Sequence, residues 1–456
     1  MTARSADGFA RLTRRLRPFR AARGGNILIL FALALIPMIG MVGVGLDYFR
    51  GLTYRAHFDR AADAAVITAI ATARDYISTN PNNEANPTAA ALALGQTRGL
   101  ATFRVNAASM LSSVPLTPTL TVNRTGGVIT ATANYAGTFP SAFGRVFSET
   151  TTINVAGKSS SSLTLGIYTD FYLLLDTSGS MGFPTSAAQQ ISFARLNPDM
   201  ADGNRKNCAF ACHFPNNNPP WQGVAIAKLN NIELRIKTVS NAVQGLLQKA
   251  KANRTLANQY RVGLFPFISY METAAALTSD LDSLAGIDLE NYMDIGDATR
   301  PRGSGGTHYD NVLPAMNRLI TTVGDGTSAS RALPFVFLIT DGVANNQYFN
   351  VRLPRQWGDG SRPVKLDPSL CKPLKDRGIT VSVLYIPYVP LETPINGNTY
   401  GESVETNRII PDVPKTLQDC ASTGYFRTAS SASEIQEALN AMFDQATRKA
   451  RLVASP

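Results

Sequence analysis

Histidine is scarce in this chain. The 456 residues contain three, His57, His213 and His308. There is no H-E-x-x-H pair for a hydrolytic zinc, no G-x-S-x-G elbow for a nucleophilic serine and no Walker lysine loop for a nucleotide. Cysteine is nearly as rare, at four. Cys208, Cys212 and His213 offer zinc three ligands and lack a fourth nearby. A haem attachment needs C-x-x-C-H, and the spacing from Cys208 to His213 is one residue too long. His308 reads as a rim or structural residue rather than a hydrolytic base. An enzyme is therefore not expected. Charge is thin as well, at 17% of residues, and no basic helix interleaved with aromatics occurs past the N-terminus. The formal +10 comes mostly from the first 26 residues, where Arg4, Arg11, Arg14, Arg15, Arg17, Arg20 and Arg23 face one acid, Asp7. That pattern argues against nucleic acid as a partner and for a tail beside a membrane.

Ile27–Leu46 is twenty apolar residues without a charge, which matches the thickness of a bilayer core. Pro37 is tolerable inside a membrane helix. A cleavable signal peptide would have a shorter apolar region and a small-residue cleavage site. Asp47-Tyr48-Phe49-Arg50 follows instead, so the segment reads as a retained single-pass anchor. The arginines place residues 1–26 in the cytoplasm and the rest outside an inner membrane, in the periplasm or at the cell surface. Asp47–Arg74 continues as an alanine-rich stalk helix, a loop falls at Ser78–Pro87, and Thr88–Met110 is a further helix. Thr119–Val122 and Val128–Tyr135 flank a glycine turn and read as a hairpin. Thr150–Ala156 is another strand. Residues 47–162 thus form a stalk and a small α+β module, with Gly157–Ser162 (GKSSSS) as the boundary.

Beyond it, strands alternate with helices, which implies an α/β, doubly wound parallel sheet over 163–456. The expected strands are Phe171–Leu175 at the start, then Tyr260–Ile268, Leu333–Thr340 and Gly378–Ile386. Helices are expected at Trp221–Ala250, Tyr309–Thr321 and Ser433–Arg451. Polar loop insertions fall near 183–220 and 387–414. The first apolar strand ends in Asp176-Thr177-Ser178-Gly179-Ser180, which brings a carboxylate and two hydroxyls to one turn. Such hard oxygens suit Mg²⁺ or Ca²⁺ and suit Zn²⁺ poorly. In an open parallel sheet that turn lies beyond the carboxyl end of a strand, where ligands bind. A glycine-rich loop carrying Thr307 and a second strand ending in Asp341 supply further oxygens.

D-x-S-x-S, then a loop threonine, then a strand-terminal aspartate resembles the metal-ion-dependent adhesion site (MIDAS) of von Willebrand factor A (vWA) domains. The resemblance implies that Ser178, Ser180 and Thr307 bind a divalent cation directly. Asp176 and Asp341 act mostly through water, and one position stays open for a partner's carboxylate. Mg²⁺ is the first candidate, with Ca²⁺ and Mn²⁺ as alternatives. Because the site lies at the strand ends, outside the apolar core, neither Asp176→Ala nor Thr307→Ala is expected to unfold the domain. A second resemblance covers about 45 residues. Gly25-Asn26, the apolar span, Asp47-Tyr48 and Ala62-Asp63-Ala64-Ala65 look like the N-terminal region of TadE/TadG-like proteins of tight-adherence (Flp-type) pilus assembly. It makes the module between anchor and vWA domain pilin-like. The minor pilins of that system are cut after a Gly with a Glu five residues on; no such pair occurs here, so no processing is expected.

The cysteines allow three pairings. Cys208–Cys212 and Cys371–Cys420 are favoured, the first as a tight loop within the insertion. The second ties the helix start before one strand to the segment before the last helix. Its surroundings also look like the corresponding places in vWA-bearing pilus-assembly proteins. Together these readings describe a membrane-anchored, pilin-like vWA protein. It would assemble or anchor a Tad/Flp pilus through metal-dependent contacts, an acidic residue of another pilus subunit completing the site. The alternatives are a metal-dependent surface adhesin and a metal-dependent phosphohydrolase using Asp176 and Asp341.

Overall fold

The computed structural model describes residues 26–80, 87–143, 152–196, 222–294, 301–302, 305–345, 363–388 and 406–453. The basic tail, Cys208, Cys212 and most of both expected insertions lie outside them. Two compact units divide the chain at Leu163/Thr164, with 76–87 and 124–128 grouped with the second.

The first unit is organised on α1 (Asn26–Thr79), an unbroken helix of 54 residues that passes straight through Pro37. At 1.5 Å per residue it is ~80 Å long. Its early part is long and apolar enough to cross a membrane, and side chains such as Ile27, Leu28, Phe31 and Met41 are exposed along it. From Phe58 onward the pattern changes to one buried face: Phe58, Ala61, Ala62, Ala65, Val66, Ala69 and Ala73 recur every three or four residues. The alanines let α2 (Pro87–Leu111) approach closely. A Cβ on Gly99 of α2 would lie 2.8 Å from the Ala65 carbonyl oxygen and 2.4 Å from Leu120 Cδ2, so only glycine fits there. Next comes a three-stranded sheet of β1 (Thr119–Thr125), β2 (Val128–Pro140) and β3 (Thr152–Thr164), in that order. Phe58, Phe103 and Tyr135 meet between helices and sheet, with ring centroids 5.5–6.4 Å apart. The carboxylate of Asp47, at the end of the apolar stretch, accepts from Ser141 Oγ and from the amides of Ala142 and Phe143.

The serine run 157–162, expected as the boundary, lies inside β3, and the two units divide just after it. Ser159 Oγ donates to Asp63 at 2.6 Å and Ser160 Oγ meets Thr132 Oγ1 at 3.0 Å. Two consecutive hydroxyls, on opposite faces, thus tie down a half-exposed strand.

The second unit is the doubly wound sheet. Its strands are β4 (Thr169–Asp176), β5 (Tyr260–Phe267), β6 (Ala275–Thr278) and β7 (Leu333–Thr340), then β10 (Thr380–Tyr385) and β11 (Phe426–Thr428). A separate two-stranded ribbon pairs β8 (Val343–Ala344) with β9 (Val364–Lys365). The order is β11-β10-β7-β4-β5-β6. All neighbours run parallel except β6, which is antiparallel to β5. Every residue of β4 is buried. Phe171, Leu173 and Leu175 face one apolar layer, Tyr172 and Leu174 the other. The first layer is completed by α5 (Arg235–Ala252) and α9 (Ala432–Val453), the second by α6 (Tyr309–Leu319) and α8 (Val413–Cys420). The β4/β5 register is pinned by Asp170, which takes both arms of the Arg261 guanidinium at 2.7 and 2.6 Å. A one-residue slip would turn Asp176 to the wrong face.

Two helices differ from expectation. Ala187–Leu196, expected as polar loop, is helix α3, held by buried Phe193. The expected helix at Trp221–Ala250 is two, α4 (Gln222–Leu229) and α5, broken where Asn231 takes φ 53°. Cys371, just before the short helix α7 (Lys372–Asp376), is joined to Cys420 at the end of α8, with Cα atoms 5.3 Å apart.

Candidate metal site

The chain leaves β4 for β5 on one side and β7 for β10 on the other. The crevice that this reversal opens lies at the carboxyl ends of β4 and β7. Leu175 stands opposite Ile339, so Asp176 closes one strand beside Thr340, and Asp341 follows at once.

Asp176 is buried and held from two sides. Its Oδ1 accepts from the Ser178 amide at 3.0 Å, and its Oδ2 accepts from Thr340 Oγ1 at 2.6 Å. The Thr340 proton is thereby committed, so the 2.6 Å contact between Tyr309 Oη and Thr340 Oγ1 is a donation by the tyrosine. The two serines of the turn meet each other, Oγ to Oγ, at 3.1 Å. Thr307 follows Gly305 and Gly306, both at positive φ (80° and 70°), and its backbone bridges Asn345 just past β8. That bridge ties the threonine loop to the segment leaving Asp341. Asp294 adds a second strap: its amide donates to the Thr177 carbonyl at 2.9 Å, and its carboxylate accepts from the Gly305 amide at 2.8 Å. The strap links the D-x-S-x-S turn to the threonine loop.

Asp341 is completely buried, and neither carboxylate oxygen accepts a hydrogen bond. Burial pushes its pKa up, while the Arg235 guanidinium and the nearby Ser180 and Tyr388 hydroxyls act the other way. None of these donors meets it in hydrogen-bond geometry; Arg235 Nη1 stands 3.6 Å from Oδ2. Arg235 is itself buried at the start of α5, with its guanidinium between the rings of Phe183 and Tyr388, 5.4 and 5.0 Å from their centroids. Burial first, then the Asp341 carboxylate, raises Asp176 to about 7.

A raised carboxyl pKa means that the folded state holds its proton more tightly than the unfolded chain. This stability is complete below pH 3.8 and is lost as pH climbs to about 7. The metal-free protein should therefore melt at a lower temperature at pH 8 than at pH 5, and Asp176→Asn should flatten that dependence. Melting curves of both proteins across this range, in a chelator, check it; parallel curves would refute it.

Two carboxylates and the hydroxyls of Ser178, Ser180 and Thr307 make an oxygen-only donor set. No group of three or more His, Cys, Asp or Glu side chains competes as a metal site among the described residues. The Asp341 oxygens, buried without a hydrogen bond, are the kind of orphan that a cation satisfies. The residues therefore fit a hard divalent cation. Although they stand at the strand ends, both carboxylates are closed off from solvent: Asp176 is 1% exposed and Asp341 0%. Sequence reasoning missed Arg235, Asp294, Thr340, Tyr309 and Tyr388. Arg235 had left one signal, a charge at the head of an otherwise apolar helix face. His308 is buried, and its amide donates to the Ile268 carbonyl.

The sequence matches no family model, and no curated protein is similar to it. Among solved structures it is similar to the PilB minor pilin from Streptococcus sanguinis, with 11% identity and a TM-score of 0.35, over 75% of this chain and 80% of that one. It is also similar to the vWF domain of the type V pili tip protein Mfa5 from Porphyromonas gingivalis (11% identity, TM-score 0.34, 64% of this chain and 98% of that one). A third is the BatB protein from Bacteroides thetaiotaomicron (14% identity, TM-score 0.31, 62% and 99%).

Proposed function

We propose that this chain is a membrane-anchored, pilin-like vWA protein of a Tad/Flp-type pilus system, working through metal-dependent protein contacts and not through catalysis. One observation carries the reading: Asp341 is buried beside Asp176 with neither oxygen hydrogen-bonded, at the switch point of a doubly wound sheet. Ser178, Ser180 and Thr307 would hold the cation directly, with Asp176 and Asp341 behind them. The cation, Mg²⁺ in the first instance, supplies an electrophilic position for a carboxylate of another pilus subunit. The apolar stretch of α1 anchors the chain in the inner membrane, with the module and sheet domain outside.

The test is a Mn²⁺ titration of the full-length protein in detergent micelles, read from the spin resonance of free Mn²⁺, alongside Asp176→Ala. Wild type should bind one ion and the variant none. Cells carrying Asp176→Ala at normal abundance should lack pili. Binding that survives the substitution would refute the site. Normal pili that no longer adhere would shift the role from assembly to adhesion.

A further inference from the structure

Arg235 occupies a position that is costly for a cation. It is the first residue of α5, and the amino end of a helix repels a cation. Its side chain is 1% exposed. Of its guanidinium nitrogens, Nη2 donates to the Pro387 carbonyl at 2.9 Å, while Nε and Nη1 find no acceptor. An arginine buried at the wrong end of a helix, with donors unmet, is costly unless a charge compensates it. Within reach among the described residues, that charge is Asp341.

The spacing is the informative part. At 3.6 Å, Nη1 is near enough to offset the Asp341 charge and too far to saturate its lone pairs. The guanidinium is restrained, because the rings of Phe183 and Tyr388 stand 5.4 and 5.0 Å from it and the Pro387 carbonyl holds its far arm.

We propose that Arg235 is a resident counter-cation of the metal site, competing with the divalent ion for Asp341. It lets the empty site fold with two buried carboxylates, holds the affinity for the ion down, and leaves the loaded site one unit more positive than its carboxylates alone would. A loaded site with surplus positive charge selects an anionic partner. This rests on the metal-site reading above and adds to it a residue that sets the site's affinity.

Mn²⁺ titrations of the full-length wild type, Arg235→Met and Arg235→Lys test it. Arg235→Met should bind Mn²⁺ on the order of tenfold tighter, the coupling typical of residues sharing one network. Arg235→Lys, which keeps the charge, should stay near wild type. In a chelator Arg235→Met should melt below wild type, and saturating Mn²⁺ should narrow or reverse that gap. A gap unchanged by Mn²⁺ would mean a purely structural role and would overturn the proposal. So would unchanged or weaker binding by folded Arg235→Met, and the metal site itself would then still stand. If Arg235→Met does not fold, Arg235→Gln takes its place in both measurements. No binding by wild type or variant would remove the metal site and this inference together.

Discussion

Asp341→Ala is expected to destabilise the protein strongly, while Asp176→Ala leaves it folded, although both remove a carboxylate from one cluster. Asp341 is the anionic partner of the buried Arg235. Taking it away strands a cation that is 1% exposed, a change that costs about 3–5 kcal/mol when one member of a buried pair is lost. Asp176 has the opposite balance. Its removal forfeits the hydrogen bonds from the Ser178 amide and Thr340 Oγ1, and it relieves the repulsion from Asp341. Denaturant unfolding of the metal-free variants separates the two, and equal stability losses would contradict this division. Adding Arg235→Met to Asp341→Ala should recover part of the loss, because the stranded charge goes with it.

The second large effect is expected at the Cys371–Cys420 link, which closes 49 residues between the start of α7 and the end of α8. Both cysteines are completely buried among Leu374, Val413 and Leu417. In the chain-entropy model a loop of this size stabilises by about 4 kcal/mol. Replacing both by alanine should move the denaturant midpoint by a corresponding amount, with the small volume change adding little. A shift no larger than that of an ordinary surface substitution would show that the bridge does not restrain the unfolded chain.

The sheet was legible because its strands are bounded apolar runs. Leu333–Thr340 needed no adjustment, and the other expected strands moved by a residue or two at their ends. What escaped was decided by packing. The helix Ala187–Leu196 looks like polar loop because Phe193 carries most of its anchoring. Phe426–Thr428 is too short to show a period. The serine run in β3 reads from composition as a boundary, and the partners Asp63 and Thr132 reveal that it is also strand. The same division holds at the site. Asp176, Ser178, Ser180, Thr307 and Asp341 stand out because each ends a strand or sits in a turn. Arg235 and Tyr388 come from separate elements, and sequence does not say that they meet. Asp294, which straps two of the loops together, carries no motif.

The unbroken helix α1 has no joint between its apolar stretch and the face that packs the first unit. In a bilayer, depth and bearing are then one variable. Each residue added near Gly45 would raise the part of the first unit packed on α1 by about 1.5 Å and also rotate it by about 100° around the helix axis. The length of the apolar stretch therefore acts as a compass as well as a ruler. If that stretch spans a bilayer, it would fix which side of the first unit is presented in the plane of the membrane.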